Sequence, residues 1–154
     1  MSGTTGNLAV QIARATDPKV LRQWIRNLDA RQLPEMANLA RRQLYSVLAG
    51  EGEGTLEQDV WRSIHSLEET LTCERGKTTR LGRTRQKIAR VGVTTTIADL
   101  INKDQPSDGF QMLVERGMAD LLFESIALRH PDRFDESTVA NARQRLDDVV
   151  GAAR

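Results

Sequence analysis

The chain reads as an all-α protein, a multi-helix bundle of about eight or nine helices, on three observations. Aromatic residues make up only 4% of the 154 residues, so the core must come mainly from Leu, Ile, Val, Ala and Met, a balance that favours helices over sheets. Apolar residues recur at three- and four-residue spacing along most of the sequence, and no strand-length stretch alternates apolar with polar. Helix start and stop residues punctuate these periodic stretches. Hydrophobic residues at 39% and charged residues at 28% describe a globular chain long enough for one domain, or for two small ones. No repeat of the length typical of helical arrays stands out.

Residues 1–6 carry no periodic pattern and are expected to form a flexible N-terminus. Residues 7–48 then predict an N-terminal helical subdomain of three helices. The first lies around Leu8 to Ala15 and uses Leu8, Ile12 and Ala13. Asp17 is placed to cap the second, with Pro18 at its first position and Val20, Leu21, Trp24, Ile25 and Leu28 at helical spacing. The third opens at Pro34, presents Met36, Leu39, Ala40, Leu44, Val47 and Leu48, and stops at Gly50. Residues 49–54, Ala-Gly-Glu-Gly-Glu-Gly, predict a linker, flexible through glycine and too acidic to bury.

Residues 55–150 predict the main helical domain. Thr55 and Gln58 have the spacing of a capping box, and the helix they open places Val60, Trp61, Ile64, Leu67 and Leu71 on one face. A basic helix is expected over residues 78–91, followed by a short helix from Thr94 to Ile101. Ser107 is placed to cap another, with Phe110, Leu113 and Val114 inward and Gly117 closing it. Leu121 to Leu128 is apolar nearly all round, which predicts a buried central helix ended by Pro131. Asp135 or Ser137 caps the last helix, whose stripe is Val139, Ala142, Leu146, Val149 and Val150.

Charge is segregated along this chain, although its net charge is only +1. Residues 1–50 carry +4, residues 51–74 carry −6 and residues 91–154 carry −4. Between them, residues 75–90 hold seven cations and no acid: Arg75, Lys77, Arg80, Arg83, Arg85, Lys87 and Arg90. A field this local steers an anionic partner where net charge cannot. On a helix, Arg80, Arg83, Lys87 and Arg90 fall within a stripe of roughly 80°, beside an apolar stripe of Leu81, Thr84, Ile88 and Val91. One side then docks on a core while the other offers cations at a spacing that suits phosphates. The stripe lacks aromatics, so stacking on single-stranded bases is not expected of it.

Residues 79–102 partly resemble a helix-turn-helix: a helix ends at Val91, Gly92 turns, and Thr94, Thr95 and Thr96 open the next helix. That second helix carries Asp99 and Asp104 and only Lys103 as a cation, so phosphate contact by the first helix is the expectation, with Thr94, Thr95 and Thr96 assisting through hydroxyls or amides. The expected partner is nucleic acid, DNA or RNA, and the expected role an accessory or regulatory one. The alternative is a protein-protein adaptor or inhibitor, self-association included, whose basic stripe docks on an acidic protein surface. Against both readings, Glu68, Glu69 and Glu74 just before the run are placed to dock on Arg75, Lys77 or Arg80 within the chain, or to pair with a second copy of it.

Enzymatic chemistry is not expected. The two histidines, His65 and His130, belong to no cluster with metal-ligand spacing, and His130 reads as a helix-end residue. Arg75-Gly76-Lys77-Thr78 superficially looks like the end of a phosphate-binding loop, but Leu71 stands where the first glycine is needed and no strand precedes it. No metal, cofactor or small-molecule substrate is therefore expected. Cys73 is the only cysteine, which fits a reducing, cytoplasmic setting without disulfides. No apolar stretch reaches roughly 18 residues, so no membrane span is expected, and the opening residues do not read as a signal peptide.

Overall fold

A computed structural model describes residues 2–50, 52–106 and 109–153, with side chains from Gly6 to Val149 within those ranges. Nine α-helices and two 3-10 turns occupy the described residues, with no strand among them. The chain divides into two compact units, Met1–Glu51 and Gly52–Arg154, at the glycine-rich stretch.

The first unit holds α1 (Ser2–Arg14), α2 (Pro18–Ala30) and α3 (Pro34–Ala49). The first helix begins at Ser2, so residues 2–6 of the terminus expected to be flexible have helical backbone. Asp17 caps α2 by accepting from the Lys19 amide at 2.9 Å, with Pro18 at the first position. Ile12, Leu28, Ala37 and Ala40 form the core, flanked by Leu8, Trp24, Ile25 and Met36. The alanines let α3 approach closely, and Arg41 of α3 pairs with Asp29 of α2 at the surface. Gln43 adds a tie by donating to the Ala15 carbonyl at 2.8 Å.

The second unit is built on α4 (Leu56–Arg75). Leu56, Val60, Ile64 and Leu67 are buried, together with the small polar residues Ser63, Ser66 and Thr70. Ser66 and Thr70 satisfy their hydroxyls on carbonyls of their own helix, Ser66 to Ser63 at 2.6 Å and Thr70 to Ser66 at 2.7 Å. The capping box forms with one change. Thr55 Oγ1 accepts from the Gln58 amide, but the Gln58 side chain accepts from Gly54 N, because the Thr55 amide is already given to the Gly52 carbonyl.

Around this spine lie α5 (Gly82–Val91), α6 (Val93–Ile101), α7 (Gly109–Glu115), α8 (Phe123–Arg129) and α9 (Glu136–Ala153). Ile97, Ile101, Phe110, Leu113, Met118, Leu121, Leu122, Phe123, Ile126, Ala127 and Ala142 complete the buried apolar set. Gly109 at the start of α7 packs against the buried Leu67: a Cβ there would fall 2.1 Å from Leu67 Cδ2, so the leucine would have to shift to admit one. The segment read as one buried helix is a 3-10 turn, Ala119–Leu121, then α8, separated by Leu122 in extended backbone (φ −63, ψ 146). Asp135 caps α9 by accepting from the Thr138 amide at 2.8 Å and from the Ser137 hydroxyl at 2.9 Å. The expected cap at Ser107 and the Val150 side chain lie outside the described residues.

Two buried carboxylates of α4 hold later segments of the unit in place. Asp59 takes His130 Nε2 at 2.8 Å, with Arg129 and Arg62 at 3.5 and 3.6 Å. Glu68, one helical face further along, holds the basic segment.

Candidate nucleic-acid interface

The basic segment leaves α4 at Gly76, whose φ of 69° turns the chain while its amide donates to the Thr72 carbonyl at 3.0 Å. Residues 77–81 are not helical and are laced back onto α4. The Thr79 amide donates to Thr72 Oγ1 at 2.9 Å, and the Leu81 amide donates to Glu68 Oε2 at the same distance. Because α5 starts only at Gly82, Arg80 lies ahead of the helix and off the stripe expected over residues 78–91. The physical reason is a contact with α4: Glu68 takes the Leu81 amide, and this side-chain anchor fixes the chain one residue ahead of the first turn.

Glu68 also takes Arg85. Its carboxylate accepts from Arg85 Nε at 2.7 Å and Nη2 at 2.6 Å, a bidentate pair, while the guanidinium lies 5.2 Å from the Trp61 ring centroid. Burial pushes the Glu68 carboxyl up, but the hydrogen bonds from Arg85 and the Leu81 amide, with the charges of Arg85 and His65, outweigh it and hold the group below the ordinary glutamate range. Arg85 is correspondingly raised by the same pairing. His65 is half-buried 3.7 Å from Glu68, and its burial lowers its basicity. Arg80 is the outermost neighbour, 3.8 Å from Glu68 with 63% of its side chain exposed.

Lys87 is consumed differently: its Nζ is 2.6 Å from Asp99 of α6. Of the four cations expected on one stripe, Arg83 and Arg90 therefore remain exposed on the helix with no carboxylate partner among the described residues. Arg75 and Lys77 are exposed before the helix. The apolar stripe docks in part, with Leu81, Thr84 and Ile88 half-buried and Val91 left 41% exposed.

The three threonines separate as well. Thr95 is exposed, whereas Thr94 is half-buried and accepts from Arg133 at 3.4 Å. Thr96 is fully buried and spends its hydroxyl on the Gly92 carbonyl at 2.7 Å, which removes it as a contact residue. The turn between α5 and α6 is Gly92 alone, at φ 90° and ψ 168°. A helix-turn-helix needs three or four turn residues, so the partial resemblance is a tight helix–glycine–helix corner instead.

Two features escaped the sequence reading. Glu68 appeared as one of several acids near the run, and nothing in its spacing distinguished it from Glu69 or Glu74. His130 does end α8, but its ring reaches Asp59, 71 positions earlier. Trp61 is half-buried, with the Arg85 guanidinium over one side of its ring. Trp24 belongs to the first unit, where with Val20 it lines an open cleft of about 500 Å3.

Among the described residues no group of three or more His, Cys, Asp or Glu side chains could hold a metal ion. No helix among them is long and apolar enough to cross a membrane. The chain matches no protein-family model, no curated protein and no solved structure.

Proposed function

We propose that this protein binds nucleic acid through phosphate contacts made by the loop before α5 and by the outer face of α5. The observation that carries the reading is the division of the basic run. Arg85 and Lys87 are held by carboxylates, while Arg75, Lys77, Arg80, Arg83 and Arg90 remain exposed. The sequence from residue 75 to residue 98 contains no acid, and the first to follow, Asp99, is the one paired with Lys87. A row of arginines with exposed guanidinium edges, Arg80 still exposed beside its long pair with Glu68, suits the oxygens of a phosphate backbone, which they meet bidentately.

The Glu68 anchor supports this use rather than opposing it. It removes one cation from the surface but fixes the backbone that carries the others, so less conformational entropy is lost on binding. An acidic protein surface is the competing partner, and the apolar content of the patch weighs against it. In the second unit Val91 is the single large hydrophobic side chain exposed among the described residues, and one valine does not make the apolar centre that protein interfaces have.

The test is titration of a fluorescent 25-base-pair duplex with the full-length protein and with the Arg83→Glu/Arg90→Glu variant. The expected result is binding that weakens steeply with salt and falls by more than about a hundredfold in the variant. Equal binding by the variant, or tighter binding to an acidic polypeptide of matched charge than to the duplex, overturns the reading.

A further inference from the structure

The α5 helix differs from every other α-helix of the chain in that none of its described residues is fully buried. It is held at its inner side by Arg85 on Glu68, by Lys87 on Asp99 and by half-buried Thr84 and Ile88. Its outer side consists of Gly82, Arg83, Gln86, Ala89 and Arg90, all exposed. At about 100° per residue these five fall within an arc of roughly 120°. Arg83 and Arg90 stand about 10 Å apart along the axis with Gln86 between them. Gly82 and Ala89 are the small residues of that arc, and a Cβ at Gly82 would meet nothing within 4 Å.

We infer that α5 enters the major groove of duplex DNA and reads base edges with Arg83, Gln86 and Arg90. The inference rests on the phosphate-binding reading and deepens it, since the loop cations Arg75, Lys77 and Arg80 then supply the backbone contacts. The chemistry follows from the side chains available. Arginine donates bidentately to guanine O6 and N7, glutamine pairs with adenine N6 and N7, and an exposed alanine meets the thymine methyl. A helix of 10 residues, with Gly82 and Ala89 as the small positions of an arc that otherwise carries the reading side chains, fits a groove about 12 Å wide, which the deep, narrow major groove of an RNA duplex does not offer. No free aromatic stands on this face to stack unpaired bases, which sets single strands aside. The reading helix is thus α5, the first of the pair, and α6 is its buttress.

The test is selection of bound duplexes from a pool with a randomised 20-base-pair centre, using the full-length protein. The enriched duplex, its shuffled counterpart, the RNA duplex of the same sequence and the single strand are then titrated separately. The expected result is an enriched duplex bound at least tenfold tighter than the shuffled one and than the RNA. Gln86→Ala, which leaves every cation in place, is expected to erase most of the preference at one A·T pair while changing affinity for the shuffled duplex by less than twofold. Equal affinity for enriched and shuffled duplexes, with steep salt dependence, overturns groove reading and leaves phosphate binding standing. Equal affinity for the RNA duplex does the same. Absence of binding to any duplex overturns both.

Discussion

Arg83 and Arg85 sit two residues apart on α5 and carry the same guanidinium, yet their surroundings are opposite. Arg85 is paired through Nε and Nη2 with Glu68 and lies over Trp61, whereas Arg83 is exposed and meets no carboxylate among the described residues. Two residues on a helix are turned by about 200°, so one faces α4 and the other faces away. The same contrast separates Lys87, on Asp99, from Arg90. The inner cations hold the segment in place, and the outer cations are free to meet a partner. Seven positive charges in sequence thus make two structural residues and five surface ones, and the two sets answer to different measurements.

The sharpest way to break that division is to reverse the outer charges. Arg83→Glu/Arg90→Glu is expected to lower duplex affinity by about 3 kcal/mol or more while changing unfolding free energy by less than about 0.5 kcal/mol. Comparable loss in both would place these arginines in the fold. Next in size is Glu68→Ala, which strands a half-buried guanidinium and frees the Leu81 amide. Chemical denaturation is expected to show a loss of about 2 to 3 kcal/mol, with trypsin cutting faster between Arg75 and Arg85 as the ordered loop loosens.

The pH dependence of that contribution has a definite sign. The folded-state pKa of Glu68 is lowered, so its stabilisation is present in full above the ordinary glutamate range and fades as pH falls through the lower folded value. Wild type is therefore expected to lose more stability than Glu68→Gln between neutral and strongly acidic pH. A larger acid loss in the variant contradicts the sign. Arg85→Lys keeps the charge but not the bidentate geometry or the stacking on Trp61. It is expected to cost about 1 kcal/mol in stability and to leave duplex affinity within twofold. Smallest is Lys87→Ala, an exposed pair expected to be worth under about 0.5 kcal/mol in either assay.

Much of the fold was legible because its signals are local. Asp17 with Pro18, Thr55 with Gln58, and Asp135 all stand where the helices start, and Gly50, Gly76, Gly92 and Gly117 stand where they stop. The candidate site was legible only in outline. Composition located the basic run, but its inner and outer sides depend on where α5 begins, and that is decided by Glu68 gripping an amide 13 residues away. Assuming a start at residue 78 kept Arg80 in register with Arg83, and Lys87 counted as a free cation because its pairing with Asp99 of α6 has no signal in the spacing. Thr96 was misread for a related reason: a threonine in the first turn of an exposed helix and one packed beneath it have the same local sequence. Tertiary contacts at long separation leave no periodic trace.

The central claim is that the outer cations bind and the inner cations support. It is tested most directly by the dependence of log Kd on log salt for wild type, Arg83→Ala/Arg90→Ala and Lys87→Ala on one duplex of unselected sequence, where Arg83 and Arg90 have no matching bases to read and meet phosphates instead. Each lost phosphate contact lowers the slope by about 0.9. The account predicts a fall of about 2 for the outer pair and no change for Lys87→Ala. Equal falls for the two variants, or a slope that neither changes, contradict it.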